Sequence, residues 1–247
     1  MPGEHGAAGG TDRGLMVDPV AWPPGWHVEH VAATGSTNDD LLSSASERPD
    51  RSVLVADYQR AGRGRRDRVW TAMPGTNLLA SILFHEVPAD ANELPRRVSV
   101  ATVDACRRFT SAAVALKWPN DVLLDDGKLA GVLAQRAAGG SVVVGVGVNV
   151  GWAPDGAQRL GPQVALLDLL AALLDAYDRL PASAEKLGDR YRHELATLGR
   201  RVRIELPAGE LLGVATDLGA DGRLIVVDDG GAAHSLAVGD VVHLRGR

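Results

Sequence analysis

One cysteine, Cys106, stands in 247 residues. That excludes a disulfide framework and any multi-cysteine zinc or iron–sulfur site, and the expected compartment is the reducing cytoplasm. Aromatic residues make up only 4% of the chain. No apolar run approaches the roughly 18 residues needed to span a bilayer, so no membrane partner is expected. The first residues, MPGEHGAAGGTDRG, lack the apolar stretch of a secretory signal. Positive charge is not in excess either: a net charge of −5 argues against a molecule built to coat nucleic acid. Lysine is nearly absent, because the 26 basic residues include only Lys117, Lys128 and Lys186. Against an arginine-rich background, a lysine marks a place where a flat guanidinium does not serve. Asparagine is scarce as well, found at 38, 77, 92, 120 and 149.

What is present is a globular composition, 45% hydrophobic and 23% charged, long enough for one core domain with a small appendage. Residues 1–25 are rich in Gly, Ala and Pro without period and read as a loose tail. Strands are predicted at 26–33, 52–59 and 77–85, with Ser36 or Thr37 capping a short helix between the first two. Residues 61–70 form a Gly/Arg loop, and 94–109 carry helical periodicity. Residues 113–135 read as strand, Pro-containing bend, strand, turn at Asp126-Gly127, strand. A β-branched strand follows at 141–150, then helices at 164–180 and 182–198. After Leu198 short strands alternate with Gly and Asp turns, the texture of a small β-barrel. The expected domains are a tail (1–25), a core domain (26–198) and a barrel (199–247).

Three segments carry chemistry. Five arginines between 60 and 68 repel one another, so an ordered form of Gly62-Arg63-Gly64-Arg65-Arg66-Asp67-Arg68 wants an anion. Its glycines can expose backbone N–H groups as a phosphate or carboxylate cradle; a solvated basic loop is the plain alternative. Lys117-Trp118-Pro119-Asn120-Asp121 places polar groups at strand ends, with a hairpin corner plugged by Trp118 as the alternative. Lys128 in Gly127-Lys128-Leu129-Ala130-Gly131 and the strand Gly145-Val146-Gly147-Val148-Asn149 combine a charge with glycines that let a ligand or backbone come close. Gly147 opens no helix, which argues against a dinucleotide fingerprint, and neither a P-loop nor G-x-S-x-G nor H-E-x-x-H occurs. His27 and His30 fall on opposite strand faces, and Cys106 lies in an apolar-periodic helix.

Ser36-Thr37-Asn38, Gln59, the GRGRR-x-R-x-W pattern ending at Trp70, Lys117 to Asp121, Lys128-x-x-Gly131 and Gly145-x-Gly147-x-Asn149 run in series ahead of a small barrel. Together they resemble the biotin–protein ligase family. The resemblance implies an α+β fold: a mixed sheet with helices, like class II aminoacyl-tRNA synthetases, plus an SH3-like C-terminal barrel. It implies two steps. Biotin and Mg·ATP give biotinyl-5′-adenylate and pyrophosphate; a lysine on the biotin carboxyl carrier domain of an acyl-CoA carboxylase then takes the biotin and releases AMP. Arg65, Lys128, Lys117 and Asp121 would carry catalysis, with Asp121 accepting the proton of the incoming amine. Ser36, Thr37, Asn38, Gln59, Gly62, Arg63, Gly64, Arg65, Lys128 and Gly131 would bind biotin. Arg63, Arg65, Arg66, Arg68, Trp70, Asn120, Lys128, Gly147 and Asn149 would bind ATP and the adenylate. Mg2+ would arrive on the ATP, with no protein metal site assigned.

The sequence departs from the family pattern in two places. Asp67 stands where glycine is frequent; this sets a Cβ against a positive-φ turn and predicts an acid that pairs with Arg66 or Arg68 in the absence of ligand. Gln135 stands where glutamate is frequent, a near-isosteric change. The short stretch before Ser36 holds no recognition helix, so the resemblance is to the monofunctional type, with no specific DNA partner expected; monomer and homodimer both stay open. The rival enzyme reading is a lipoate or octanoate ligase on the same fold. The rival from another class is an RNA-binding module using the Arg/Gly loop and the barrel.

Overall fold

The computed structural model describes residues 20–206, 209–237 and 239–244. Its first part runs β1 (His27–Val31), α1 (Thr37–Ser43), β2 (Ser52–Ala56), β3 (Leu78–Phe84), α2 (Glu93–Arg107), β4 (Val114–Lys117), β5 (Asp121–Leu124), β6 (Gly127–Arg136) and β7 (Val142–Val148). Helices α3 (Leu166–Asp178) and α4 (Ala184–Glu194) follow, then β8 (Arg201–Leu206), β9 (Gly209–Leu218), β10 (Leu224–Asp228), β11 (Ala233–Leu236) and β12 (Asp240–His243).

The first seven strands make one sheet in the order β1-β2-β3-β7-β6-β5-β4. β1 and β2 are parallel, and the other neighbours are antiparallel. The last five form an antiparallel sheet in the order β11-β10-β9-β8-β12. Mixed sheet, helices and small β-unit match the expected α+β class. Among the described residues no helix is long and apolar enough to cross a membrane.

Side-chain alternation explains how the large sheet is covered. Val53, Val55, Ile82, Val144 and Val146 point to the face that packs against Val98 of α2 and Leu169 and Leu173 of α3. Leu54, Leu83 and Val143 point the other way and meet Leu41 of α1. Each such aliphatic side chain contributes about 1.5–3 kcal/mol when fully buried. β2 and β3 are buried on both faces, which is why they read as continuous apolar runs. Ser36 caps α1, its Oγ accepting from the Asp39 N–H at 3.4 Å.

The core continues into the second sheet. Trp118 is 3% exposed, shares one cluster with Val202, Ile204 and Val241, and donates its indole N–H to Gly222 O at 3.0 Å. The Trp118-Pro119 peptide is cis. Trp118 is thus a core plug, with the polar Lys117, Asn120 and Asp121 beside it in the chain.

Several boundaries differ from expectation; the helix expected at 182–198, for example, spans only Ala184–Glu194. The β5–β6 turn falls on Asp125-Asp126, one residue early, with Asp125 at φ 52. Aspartate tolerates the left-handed region, while Gly127 already belongs to β6, where a Cβ would lie 2.4 Å from Gln158 Cγ. The strand predicted to 59 ends at Ala56, because Gln59 turns to bridge Thr34. Of the predicted tail, residues 1–19 lie outside the described residues, and Trp22 packs against the core.

Candidate active site

The site begins with the alternation of β7. Val144, Val146 and Val148 enter the core, so Gly145 and Gly147 fall on the α1 face. Register then aligns one row across the sheet: Leu79, Gly147, Gly131, Asp121 and Lys117. The next row holds Ser81, Gly145 and Leu133. Missing side chains make a trough, and other elements fill part of it. A Cβ on Gly145 would sit 2.2 Å from Asn38 Oδ1, and one on Gly147 would sit 2.5 Å from the Trp70 indole. On Gly131 it would lie 3.1 Å from Trp70 Cζ3 and 3.5 Å from Lys128 Nζ. These glycines are required by close approach, here of two side chains.

One end of the trough is neutral and polar. Gln59 Oε1 accepts from Thr37 N at 2.8 Å and Thr37 Oγ1 at 2.9 Å. Thr37 Oγ1 lies 2.6 Å from Ser81 Oγ, which lies 2.6 Å from Asn38 Oδ1. Asn38 Nδ2 donates to Gln135 Oε1 at 2.7 Å. Two hydroxyl protons thus serve three oxygen contacts, so one acceptor is always left over for an outside donor.

The other end is charged. Lys128 Nζ is 2.6 Å from Asp121 Oδ1 and 5.7 Å from the Trp70 ring centre. Asp121 therefore pairs with Lys128, while Lys117 stands opposite it on β4. Burial lowers the Lys117 pKa, with Asp121 opposing and Lys128 adding to the drop. Arg65 is also lowered, first by burial, with Asp240 raising it and Arg66 lowering it. Its guanidinium donates to Asn120 Oδ1 at 3.2 Å and to Gly239 O at 3.5 Å.

The arginine loop closes on itself. Gly64 N donates to Arg68 O at 2.7 Å, Trp70 N donates to Gly62 O at 2.9 Å, and Arg63 bridges Val69. The Gly64 N–H is consequently engaged within the loop. Gly62 is small because a Cβ there would meet Trp70 O at 2.4 Å. Arg66 and Asp67 take φ 55 and 57, so the positive-φ turn survives the replacement of glycine. Asp67 does not pair with either arginine. Asp240, at the start of β12, does: Arg66 donates to its Oδ2 at 3.0 Å, and Arg68 contacts the same oxygen. Arg63 pairs with Asp39 at 2.9 Å.

One cavity gathers Ser36, Thr37, Asn38, Gln59, Arg63, Gly64, Arg65, Arg68, Trp70, Lys117, Asn120, Asp121, Lys128, Gly131 and Gly147. Gly62 and Arg66 line only an adjoining cavity, which shares Arg63, Gly64, Arg65 and Arg68 with the first. Asn149 does not reach the cavity: it is 2% exposed and its amide donates to Gln158 O at 3.0 Å and Lys128 O at 3.4 Å, bracing the backbone under Lys128. Sequence reasoning missed Ser81, Trp118 as a wall, and Asp240. Ser81 left a signal, a lone hydroxyl in an apolar strand; Asp240 left none.

The model of the Biotin/lipoate A/B protein ligase family matches residues 31–152, and that of the biotin protein ligase C terminal domain matches residues 197–244. The chain belongs to the biotin/lipoate A/B protein ligase family, in the branch that carries this C-terminal domain. It is 38% identical to the biotin–[acetyl-CoA-carboxylase] ligase of Mycobacterium tuberculosis, across 95% of this chain and 96% of that one. It is 32% identical to the enzyme of the same name from Paracoccus denitrificans, across 79% and 92%. Biotin protein ligase from Aquifex aeolicus in complex with biotin and ATP shares the fold, with TM-score 0.75 and 23% identity over 89% of this chain and 99% of that one.

Proposed function

We propose that this chain is a biotin–protein ligase that activates biotin with Mg·ATP and passes it to a lysine of a carboxylase carrier domain, its site lying in residues 26–198 with a contribution from the barrel. The observation that carries this is the two-ended trough: a hydroxyl–amide cluster at one end, three cations at the other, and a glycine floor between. The ureido N–H groups of biotin suit the surplus acceptor among Thr37, Asn38 and Ser81, with Ser36 and Gln59 beside them. The valeryl chain suits the floor at Gly131 and Gly147. Its carboxylate then arrives at Lys128 and Arg65, while Arg63, Arg68 and Asn120 face the phosphates and Trp70 the adenine.

Adenylation joins a biotin carboxylate oxygen to the α-phosphorus and expels pyrophosphate. Two anions must meet, and removing one donor that offsets their repulsion costs about 2.7–4 kcal/mol of transition-state stabilisation. The biotin carboxylate competes with Asp121 for Lys128. Once displaced, Asp121 can accept the proton lost when the carrier lysine nitrogen attacks the acyl carbon and AMP departs. Burial makes Lys117 easier to deprotonate, so its charge on the phosphates weakens toward alkaline pH. Among the described residues no three His, Cys, Asp or Glu side chains cluster to hold a metal. Magnesium would reach the site on the nucleotide phosphates and offset part of their charge, and no step is routed through it.

The test is the mass of a carrier domain after incubation with biotin and Mg·ATP. Wild type adds one biotinyl group; Lys128→Ala and Arg65→Ala lose on the order of 100-fold or more in rate. Equal labelling by all three overturns the site, and labelling with lipoate in place of biotin overturns the substrate.

A further inference from the structure

Sheet pairing stops on either side of the Trp118-Pro119-Asn120 bend. Lys117 on β4 faces Asp121 on β5, so the three residues between them lie outside that ladder. All of residues 117–121 line the cavity. The backbone groups of the bend need partners from elsewhere. Trp118 N donates to Thr197 Oγ1 at 3.1 Å, and Asn120 O accepts from Val132 N at 2.9 Å. Pro119 O accepts from the hydroxyl of Tyr191, on α4, at 3.1 Å. Tyr191 is 3% exposed, and with Leu187 and Glu194 it forms the buried face of that helix. A phenylalanine would bury the same ring. A hydroxyl is costly to bury unless it is bonded, and this one is spent on a single carbonyl in the cavity wall. Burial pushes its pKa up, which keeps the proton on the oxygen. Glu194, three residues on, pairs with Arg107 of α2 at 2.6 Å, so the helix that carries Tyr191 is itself fixed.

We propose that Tyr191 is a positioning residue for the reaction: from α4, its hydroxyl holds the Pro119 carbonyl, and with it the peptide that carries Asn120, so that the Asn120 amide meets the cavity in one orientation. The kinetic consequence rests on the ligase reading, in which that amide faces the ATP phosphates; the brace itself does not. The plane that contains Pro119 O also contains Asn120 N and Cα, so a turn of the carbonyl moves the root of the Asn120 side chain. The far end of that side chain is held too, since Asn120 Nδ2 donates to Val132 O at 3.1 Å. Without the hydroxyl the near end is free to shift, and a positioned contact to the phosphates is weakened. A purely structural role for Tyr191 would lower thermal stability and leave the kinetics of the folded enzyme unchanged.

The experiment compares wild type, Tyr191→Phe, Asn120→Ala and the double variant in the full chain, well below their melting temperatures. The first readout is kcat/KM for ATP in pyrophosphate release. Tyr191→Phe is expected to lose roughly threefold to tenfold, the size of one hydrogen bond. The double variant is expected to fall within about twofold of Asn120→Ala, because both changes spoil the same contact. The second readout is amide hydrogen exchange by NMR. In Tyr191→Phe the Val132 N–H, which bonds Asn120 O, is expected to exchange roughly threefold to tenfold faster, with the amides of β2 unaffected. An unchanged kcat/KM, losses that multiply in the double variant, unchanged exchange at Val132, or acceleration shared equally by β2 each overturns the proposal. If wild type releases no pyrophosphate, the ligase reading fails, while the exchange comparison still decides whether Tyr191 holds the bend.

Discussion

The floor of the cavity and the loop above it are built from different materials. The floor is backbone: three neighbouring strands, β3, β7 and β6, in continuous antiparallel register, with Gly145, Gly147 and Gly131 left bare on one face. The loop is held by side-chain charge, through Arg68 at 60% exposure and Asp240 at 19%. Buried ladders do not respond to salt, whereas exposed charge pairs are screened over about 8–10 Å at ordinary ionic strength. Atoms that must not move are placed on the first kind of support. The cover, which must open to admit two substrates, is placed on the second, where ligand phosphates can replace a protein carboxylate.

Filling the floor should do the most damage. In Gly147→Val the new side chain overlaps the Trp70 indole, whose N–H is buried without a partner, so Trp70 must leave. Adenylate formation should fall about 100-fold or more, the usual consequence of moving a positioning group by an ångström. Pyrophosphate release checks this, and denaturant unfolding should show a loss of no more than about 3 kcal/mol. Near-wild-type turnover would mean that the floor yields, and the contrast with the loop would fail. Ser81→Ala comes next. It removes the hydroxyl that lies 2.6 Å from both Thr37 Oγ1 and Asn38 Oδ1, so the cluster loses one acceptor and the contact that orients the other two. Biotin affinity by calorimetry should weaken roughly tenfold, the size of one lost hydrogen bond of about 1.4 kcal/mol.

How legible this was in the sequence follows the same division. The floor was written locally: valine–glycine alternation from Val144 to Val148 states which face is core and which is bare, and the strand order of β4, β5 and β6 follows from short hairpins. Lys117, Lys128 and the arginines stood out by composition. Asn149 was misread because a polar residue at a strand end is assigned to a ligand as readily as to a neighbouring carbonyl, and only packing separates the two. Asp240 was illegible for a physical reason. Its partners lie some 170 positions away in the chain, and nothing in Gly239-Asp240-Val241 distinguishes it from any turn aspartate. Contacts between separate sheets are fixed by how their cores merge at Trp118, which no local pattern encodes.

The smallest effect lies at the seam where the loop's anchor joins the rest. His243 on β12 is 3.1 Å from Thr197 Oγ1, which also accepts from Trp118 N at 3.1 Å. Thr197 can therefore donate to a neutral imidazole while it accepts from the backbone. Burial, then Lys117 and Arg200, pull the His243 pKa down to about 4, against the contrary pull of Asp126. The unfolded chain takes up this proton near pH 6.5 and the folded chain does not until about 4, so the unfolded state binds more protons between those values. The stability that His243 contributes is whole above pH 6.5 and is lost as pH falls toward 4. His243→Gln keeps the contact to Thr197 but removes the titration. Melting curves from pH 7 to pH 4 should therefore fall less steeply in the variant, with the two proteins diverging below pH 6.5. Parallel curves would place the acid sensitivity elsewhere and would leave the seam as firm as the floor.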